Sequence, residues 1–347
     1  MKKRLFLFVL LFVFSILATG CQMKPEQKLI STGPNFFLNS VLDVKILDEG
    51  KDIEKINEEI TMRVQSLENA LTSKSSSSEV SKINQNAGIA PVSVSDETFL
   101  VISEGIKYSE LADGSFDITV GPLANLWGIG TEAAKVPTED ELKNALSLVG
   151  YEKVVLDKNA KTVYLTEKGM ALDVGAIAKG YVTDEINSIL EKYEVKSAII
   201  NLGGNIYARG DKNGKPFSIG IQNPYSEHGD YLGIYRDTDF SMVTSGTYER
   251  YFEQDGKKYH HILSTSDGYP VENEIAAVTI ISKNSMMADA LSTSVFALGI
   301  EKGFELIDSL PDSDAIVITK DKKIILSKSM ADSFELKNTE FTIEYRD

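Results

Sequence analysis

The sequence predicts an α+β fold: mixed and antiparallel sheets packed with helices in a single compact, two-lobed domain. Three observations lead there. Short β-prone runs recur through the chain, many joined by tight polar turns such as "KNG", "QDG" and "KDK", the pattern of hairpins. Helical periodicity is confined to a few longer segments. No long helix-free linker interrupts residues 36–347, so one shared core is expected rather than independent domains.

The elements follow in order. Residues 1–20 open with Lys2, Lys3 and Arg4, continue with an apolar run from Leu5 to Leu17 and end in small residues. That is a secretory signal, too short and wrongly flanked for a membrane span. "LATGC" resembles the lipobox of bacterial lipoproteins, which makes Cys21, the only cysteine, the expected lipidation site. Residues 21–35, with Pro25, Gly33 and Pro34, read as a tether. Phe36–Leu47 reads as a strand. Ile56, Ile60, Val64, Leu67 and Leu71 give Ile53–Leu71 helical spacing. "SKSSSS" at Ser73–Ser78 is a low-complexity loop. Further helices are expected over Thr98–Leu111 and Ala178–Tyr193. Strands are expected over Lys153–Leu156, Thr162–Leu165, Ser197–Asn201, Phe217–Ile221, Tyr231–Arg236, Lys257–Leu263 and Ala276–Ser282. The last three are Asp314–Thr319, Lys323–Leu326 and Glu340–Tyr345.

Composition narrows the function. The net charge is −15, and loss of residues 1–20 with their three cations leaves −18. So acidic a body does not seek nucleic acid, and any anionic ligand must be met by a local lysine or a metal ion.

Five stretches can carry chemistry. In "SMMADALSTS", Asp289 lies within an otherwise apolar helix, with Thr293 one turn later on the same face. A buried carboxylate must pair with a charge or bind a metal, and a carboxylate stacked on a hydroxyl suits Mg²⁺ or Ca²⁺. Salt bridge and metal site stay equally open on these residues alone. Asn284 or Ser285 is the expected N-cap. In "ALDVGAIAKG", a short strand ending in Asp173, a glycine turn and a helix carrying Lys179 form a generic anion site, or a plain capped helix start. "NLGGN", Asn201–Asn205, allows close backbone approach, or is a simple turn. Ala112–Gly130, with the only tryptophan, Trp127, is expected to be irregular, and either lines a site or is simply irregular packing. In "KYHHIL", His260 and His261 fall in a strand and face opposite ways. One can be a general base, the other structural. With only His228 besides, zinc is not expected.

Six blocks in order, "GSFDITVGPLANLWGIG", "LDVGAIAKGYVTDEI", "AIINLGGNIYARG", "TSGTYERYF", "YHHIL" and "ADALSTSVFALG", resemble the ApbE family of FAD:protein FMN transferases over about residues 36–310. The resemblance implies a Mg²⁺-dependent reaction in which FAD is cleaved at its pyrophosphate. FMN is joined to a serine or threonine hydroxyl of an acceptor protein, and AMP leaves. It implies Asp289, Thr293 and the backbone carbonyl of Ala176 as metal ligands. Leu38, Ser115, Phe116, Asp117, Asp173, Lys179 and Ile262 are implied as FAD contacts, with His261 as base for the acceptor hydroxyl. Three stretches depart from the family pattern. Leu38-Asn39-Ser40 stands where Met-Gly-Thr is usual, Lys74 or a neighbouring serine replaces an aromatic residue common in the following serine block, and "DVGA" replaces Asp-Leu-Gly-Gly. The expected partners are FAD, flavin-accepting extracytoplasmic proteins and, through a lipid anchor, the outer face of the cell membrane. The alternatives are a FAD pyrophosphatase of the same family and a flavin- or solute-binding lipoprotein. A flavin-carrying electron-transfer protein is disfavoured, because no stretch matches the acceptor motif of the family.

Overall fold

A computed structural model of the chain describes residues 30–31, 35–226 and 229–346. The signal peptide, Cys21, most of the tether and His228 lie outside the described residues.

The chain opens with β1 (Ile30–Ser31), β2 (Asn35–Phe37) and β3 (Ser40–Ile46). The strand expected over 36–47 is thus a hairpin, broken by a two-residue turn in which Leu38 and Asn39 take φ of 48° and 59°. Both central residues of such a turn are left-handed, a conformation that favours glycine. Next come α1 (Ile53–Leu71), α2 (Glu79–Gln85), β4 (Val92–Ser93) and α3 (Asp96–Leu111). Ser78, at the end of the serine loop, caps α2 through its hydroxyl.

The stretch expected to be irregular carries a helix, α4 (Gly121–Trp127), which Pro122 starts and Gly128 ends in the left-handed conformation. After it come α5 (Glu139–Leu146), opened by a Thr138/Glu141 capping box, then β5 (Val154–Asp157), β6 (Thr162–Leu165) and α6 (Gly175–Lys192). The strand expected before Asp173 is only an isolated bridge between Val120 and Ala171. The second half runs β7 (Ala198–Leu202), β8 (Asn205–Arg209), β9 (Phe217–Gln222), β10 (Tyr231–Asp237), β11 (Phe240–Gly246), β12 (Tyr251–Gln254), β13 (Lys257–His260) and β14 (Ile275–Ser282). It ends with α7 (Ser285–Leu298), α8 (Ile300–Asp308), β15 (Ser313–Thr319), β16 (Lys323–Ser327), β17 (Phe334–Leu336) and β18 (Thr342–Arg346).

One ten-stranded sheet, in the order β1-β3-β7-β8-β11-β14-β15-β16-β18 with β2 on β3, organises the molecule. Its pairs are antiparallel except β16 with β18. β14 is buried along its whole length, and its side chains alternate between two cores. Val278 and Ile280 face the helical layer, while Ala277 and Ile281 face the small sheet β17-β10-β9. A bulge between Ile275 and Ala277 returns Ile275 to the helical side. The helical core runs without a break from Phe37 to Ile325, so both flanks of the central cleft share it. A third, smaller cluster gathers Leu123, Trp127, Leu142 and Leu263 beneath the cleft.

α6 and α7 cross closely where Gly180 meets the start of α7. A Cβ on Gly180 would lie 2.2 Å from the Ser285 carbonyl oxygen and 2.7 Å from the Met286 Cα. Only glycine lets the two backbones approach this far. Asp184, one turn further along α6, accepts from the N–H groups of Ser285 and Met286 at 2.8 and 2.9 Å. It thereby caps α7 from outside, beside the Asn284 side-chain cap at 2.7 Å. Burial pushes the Asp184 carboxyl up to about 6.

Candidate active site

A cavity of about 880 Å³ opens between strands β3, β7, β8 and β11 of the large sheet, the N-terminus of α6, helix α4 with Trp127 and the loop that carries His261. Its size lies in the upper part of the range for small-molecule sites, roughly 300–1,000 Å³. Ten residues singled out from the sequence line it: Ser115, Phe116, Asp117, Asp173, Ala176, Lys179, His261, Ile262, Asp289 and Thr293. They come from segments up to 178 positions apart, counted from Ser115 to Thr293. Leu38 does not line it; its N–H is held by Glu68, and Asn39, Ser40 and Val41 reach the cavity instead. The glycines and both asparagines of "NLGGN" also form part of the wall.

Asp289 is buried at 3% exposure, and its two oxygens meet different partners. Oδ1 is 3.3 Å from the Lys179 ammonium, and Oδ2 accepts the Gly180 N–H at 2.9 Å. In an undisturbed helix that N–H would be given to the carbonyl of Ala176, four residues back. Asp289 therefore draws away, or shares, the donor that would otherwise hold the Ala176 oxygen. Carboxylate, Thr293 hydroxyl and Ala176 carbonyl are hard oxygen donors on one cavity wall, a set that fits Mg²⁺ completed by water and phosphate oxygens. Among the described residues no cluster of three or more His, Cys, Asp or Glu could hold a metal, so any ion here depends on neutral oxygens as well as Asp289.

The rest of the wall suits a dinucleotide. α6 begins at Val174 without a side-chain cap, and Lys179 lies one turn inside. Amides at a helix start plus a lysine favour phosphate. Arg250, also in the wall, makes no ion pair among the described residues. Asn205 is 2% exposed, and its side-chain amide nitrogen has no hydrogen-bond partner among the described residues. A buried donor left without an acceptor is costly, so an acceptor atom on a ligand fits there. Neither Arg250 nor Asn205 was assigned a role from sequence, although both fall in the quoted blocks "TSGTYERYF" and "AIINLGGNIYARG".

Asp117 and Asp173 do not present themselves alike. Asp117 Oδ1 accepts from the N–H and hydroxyl of Thr119, each at 2.7 Å, and Oδ2 from the Tyr151 N–H at 2.8 Å. Its carboxylate organises the loop behind Phe116, and burial raises its pKa against those three bonds. Asp173 uses Oδ1 for the Gly175 N–H at 2.8 Å, and its other oxygen has no partner among the described residues.

The two histidines part as their neighbours dictate. β13 ends at His260, so His261 lies just beyond the strand rather than inside it. His260 is buried edge-on to Phe296, with Nε2 3.1 Å from the Val271 carbonyl and Nδ1 accepting the Ile262 N–H at 3.3 Å. Since a carbonyl only accepts, Nε2 carries the proton, and both ring nitrogens serve the structure. His261 Nδ1 is 3.2 Å from the Arg250 carbonyl, so Nδ1–H donates and Nε2 is left unprotonated. Burial, and then the nearby Arg250 charge, pushes His261 down to about 4. The ring is neutral near pH 7 and can take up a proton at Nε2.

Comparison with known proteins bears on this arrangement. The ApbE family model matches residues 38–317. The chain is 40% identical over 274 residues to the FAD:protein FMN transferase of Klebsiella pneumoniae, covering 79% of this chain and 85% of that one. It is 35% identical over 301 residues to the protein of the same name from Treponema pallidum, covering 83% of each. Among solved structures, it superposes on the ApbE protein of Thermotoga maritima with a TM-score of 0.77 at 30% identity, over 90% of this chain and 98% of that one. On the flavin transferase ApbE of Vibrio cholerae the TM-score is 0.75 at 27% identity, over 89% and 96%.

Proposed function

This chain belongs to the ApbE family, and on that premise we propose that the cavity binds FAD and carries out FMN transfer to protein hydroxyls. The chain is an FAD:protein FMN transferase. The observation that carries the assignment of the site is the convergence of Asp289, Thr293, Ala176, Lys179 and His261 on one cavity of dinucleotide size. Asp289, Thr293 and the Ala176 carbonyl would hold Mg²⁺, which when bound neutralises pyrophosphate oxygens and stabilises charge on the departing phosphate.

The chain's own groups account for the remaining steps. Lys179 and the Ala176 N–H, which has no acceptor among the described residues, bind the diphosphate and orient it. Phe116, Ile262 and the buried wall around Trp127 give the flavin nucleotide apolar surface and exclude water. The acceptor hydroxyl oxygen attacks the phosphorus on the FMN side. Its proton passes to His261 Nε2, the bond from that phosphorus to the bridging oxygen breaks, and AMP leaves with the bridging oxygen. A base near pKa 4 is weak, and the negative charge of a bound diphosphate raises it toward the working range.

We also propose a location. The basic start, the apolar run and "LATGC" support export and lipid attachment at Cys21, with the enzyme held on the extracytoplasmic face of the cell membrane.

The test combines the chain, FAD, Mg²⁺ and an acceptor domain, with and without EDTA. The acceptor is weighed by mass spectrometry, and nucleotides are separated by chromatography. A gain of one FMN per acceptor, equimolar AMP and loss of both with EDTA are expected. Free FMN and AMP beside an unmodified acceptor would favour FAD hydrolysis, and intact FAD a binding protein.

A further inference from the structure

Thr293 is a neutral hydroxyl, and its worth as a cation ligand depends on which way its proton points. Lone pairs turned to the cation attract it, whereas a proton turned to it repels. The direction can be counted. Ser292 Oγ lies 2.8 Å from the carbonyl oxygen of Asp289. A carbonyl has no proton to give, so the single Ser292 proton is directed there. Ser245 Oγ lies 2.8 Å from Ser292 Oγ. With the Ser292 proton engaged, Ser245 must donate to Ser292. Ser245 Oγ also lies 3.3 Å from Thr293 Oγ1. With the Ser245 proton engaged in turn, Thr293 donates to Ser245. Thr293 Oγ1 has no other hydrogen-bond partner among the described residues, so both its lone pairs remain for the cavity that Thr293 lines.

We infer that Ser245 and Ser292 are positioning residues: they form a one-way hydroxyl relay that turns the Thr293 lone pairs toward the Mg²⁺ position. The inference rests on the reading of Asp289, Thr293 and Ala176 as the metal ligands. Burial keeps the relay in one direction. Ser292 is 0% exposed, so water does not compete for its proton. The pairing of Ser245 with Val278 fixes β11 in the large sheet, so Ser245 meets α7 from a rigid strand. The relay also ends where it is needed. Its last acceptor is the backbone carbonyl of Asp289, so both side-chain ligands are tied to one network. A cation on Thr293 polarises its O–H, strengthens each donation along the relay and is held more tightly in return. Partners of this kind orient metal ligands in many sites and alter affinity by about 10- to 100-fold when removed.

The experiment uses the full chain in detergent, saturated with FAD, and titrates Mn²⁺ as a hard octahedral substitute for Mg²⁺. Free Mn²⁺ is read by electron paramagnetic resonance, with FAD alone as blank and thermal melting as fold control. Ser245→Ala is expected to weaken Mn²⁺ about tenfold, and Ser245→Thr, which keeps the hydroxyl, to restore wild-type affinity. Ser292→Ala frees the Ser245 proton to turn onto a Thr293 lone pair, so it should weaken Mn²⁺ at least as much. The double variant should then be no weaker than Ser292→Ala alone. Wild-type affinity in both alanine variants, while Asp289→Asn loses Mn²⁺, would overturn the relay and leave the site standing. Ser245→Thr as weak as Ser245→Ala, with both melting normally, would also overturn it. Unchanged affinity in Asp289→Asn would remove the metal site and the relay together.

Discussion

Replacing Asp289 by asparagine separates the charge of this residue from its shape. At 3.3 Å, the Lys179–Asp289 attraction is about 5 kcal/mol at an effective dielectric of about 20. Removing one partner of a buried pair costs about 3–5 kcal/mol, and the net loss on neutralising Asp289 is expected at the lower end of that range. Two features keep it there. The amide oxygen can still accept the Gly180 N–H, which lies 2.9 Å from Oδ2. Lys179 is 19% exposed and can turn to water in the cavity. The effect on chemistry should also be large, because Asp289→Asn would leave the cation without its only carboxylate. Loss of a preorganised electrostatic group of this kind costs about 10²- to 10³-fold in rate. The assay is the initial rate of FMN attachment by intact-mass spectrometry over a Mg²⁺ titration, with urea unfolding as the stability control. Transfer within about tenfold of wild type at ordinary Mg²⁺ would refute the reasoning, and so would a variant that fails to fold.

Other outcomes follow from the same geometry. Gly180→Ala should lower stability by about 1–3 kcal/mol, because the added Cβ meets backbone rather than a movable side chain at the α6–α7 crossing; thermal melting checks this. Asn205→Ala should raise the apparent KM for FAD while leaving stability unchanged or slightly improved, since it removes a buried donor that has no partner among the described residues. A loss of stability without any change in KM would argue against a ligand acceptor at that place. His260 is held down to about 4 by burial, against an ordinary value of 6.5. The unfolded chain therefore binds a proton between those limits that the folded chain does not. The contribution of neutral His260 is full above pH 6.5 and is lost as pH falls toward 4. Urea unfolding of His260→Gln and wild type across that range should show a smaller pH slope for the variant. Asp184 acts in the opposite sense: its raised value, about 6, makes the folded state the stronger proton binder, so its contribution declines as pH rises through 6.

Much of the architecture was legible because it rests on local pattern. The spacing of Ile56, Ile60, Val64, Leu67 and Leu71 predicts α1, and all five are buried. The polar turns "QDG" and "KDK" do close the hairpins β12–β13 and β15–β16, with Asp255 and Lys322 left-handed, whereas "KNG", with Asn213 left-handed, joins β8 to β9, which lie in different sheets. Other elements carried a signal that was passed over. "TEDE" before an apolar run is a capping-box signature and does open α5. Pro122 near the start of α4 and Gly128 just after its end mark a helix in a stretch read as irregular. Strand β11 was missed because "FSMVTSG" ends in small polar residues, and only its pairing with β8 and β14 makes it a strand.

For the site, the residues themselves named the candidates and the tertiary structure assigned their roles. From the residues alone, Asp289 required a partner, because an isolated buried carboxylate is too costly to leave. Which partner, salt bridge or metal, depended on Lys179 and Gly180, 110 and 109 positions away. "HH" left open which histidine faces the cavity and the family resemblance pointed to His261, but the tautomer of each ring is set by the Val271 and Arg250 carbonyls. Asp117 lines the cavity as the sequence led one to expect, and the structure adds that its carboxylate braces the loop through Thr119 and Tyr151. Local pattern is written in neighbouring residues, and so it can be read from them. Hydrogen-bond direction, burial and charge pairing are set by atoms that meet only when distant strands and helices close on one another.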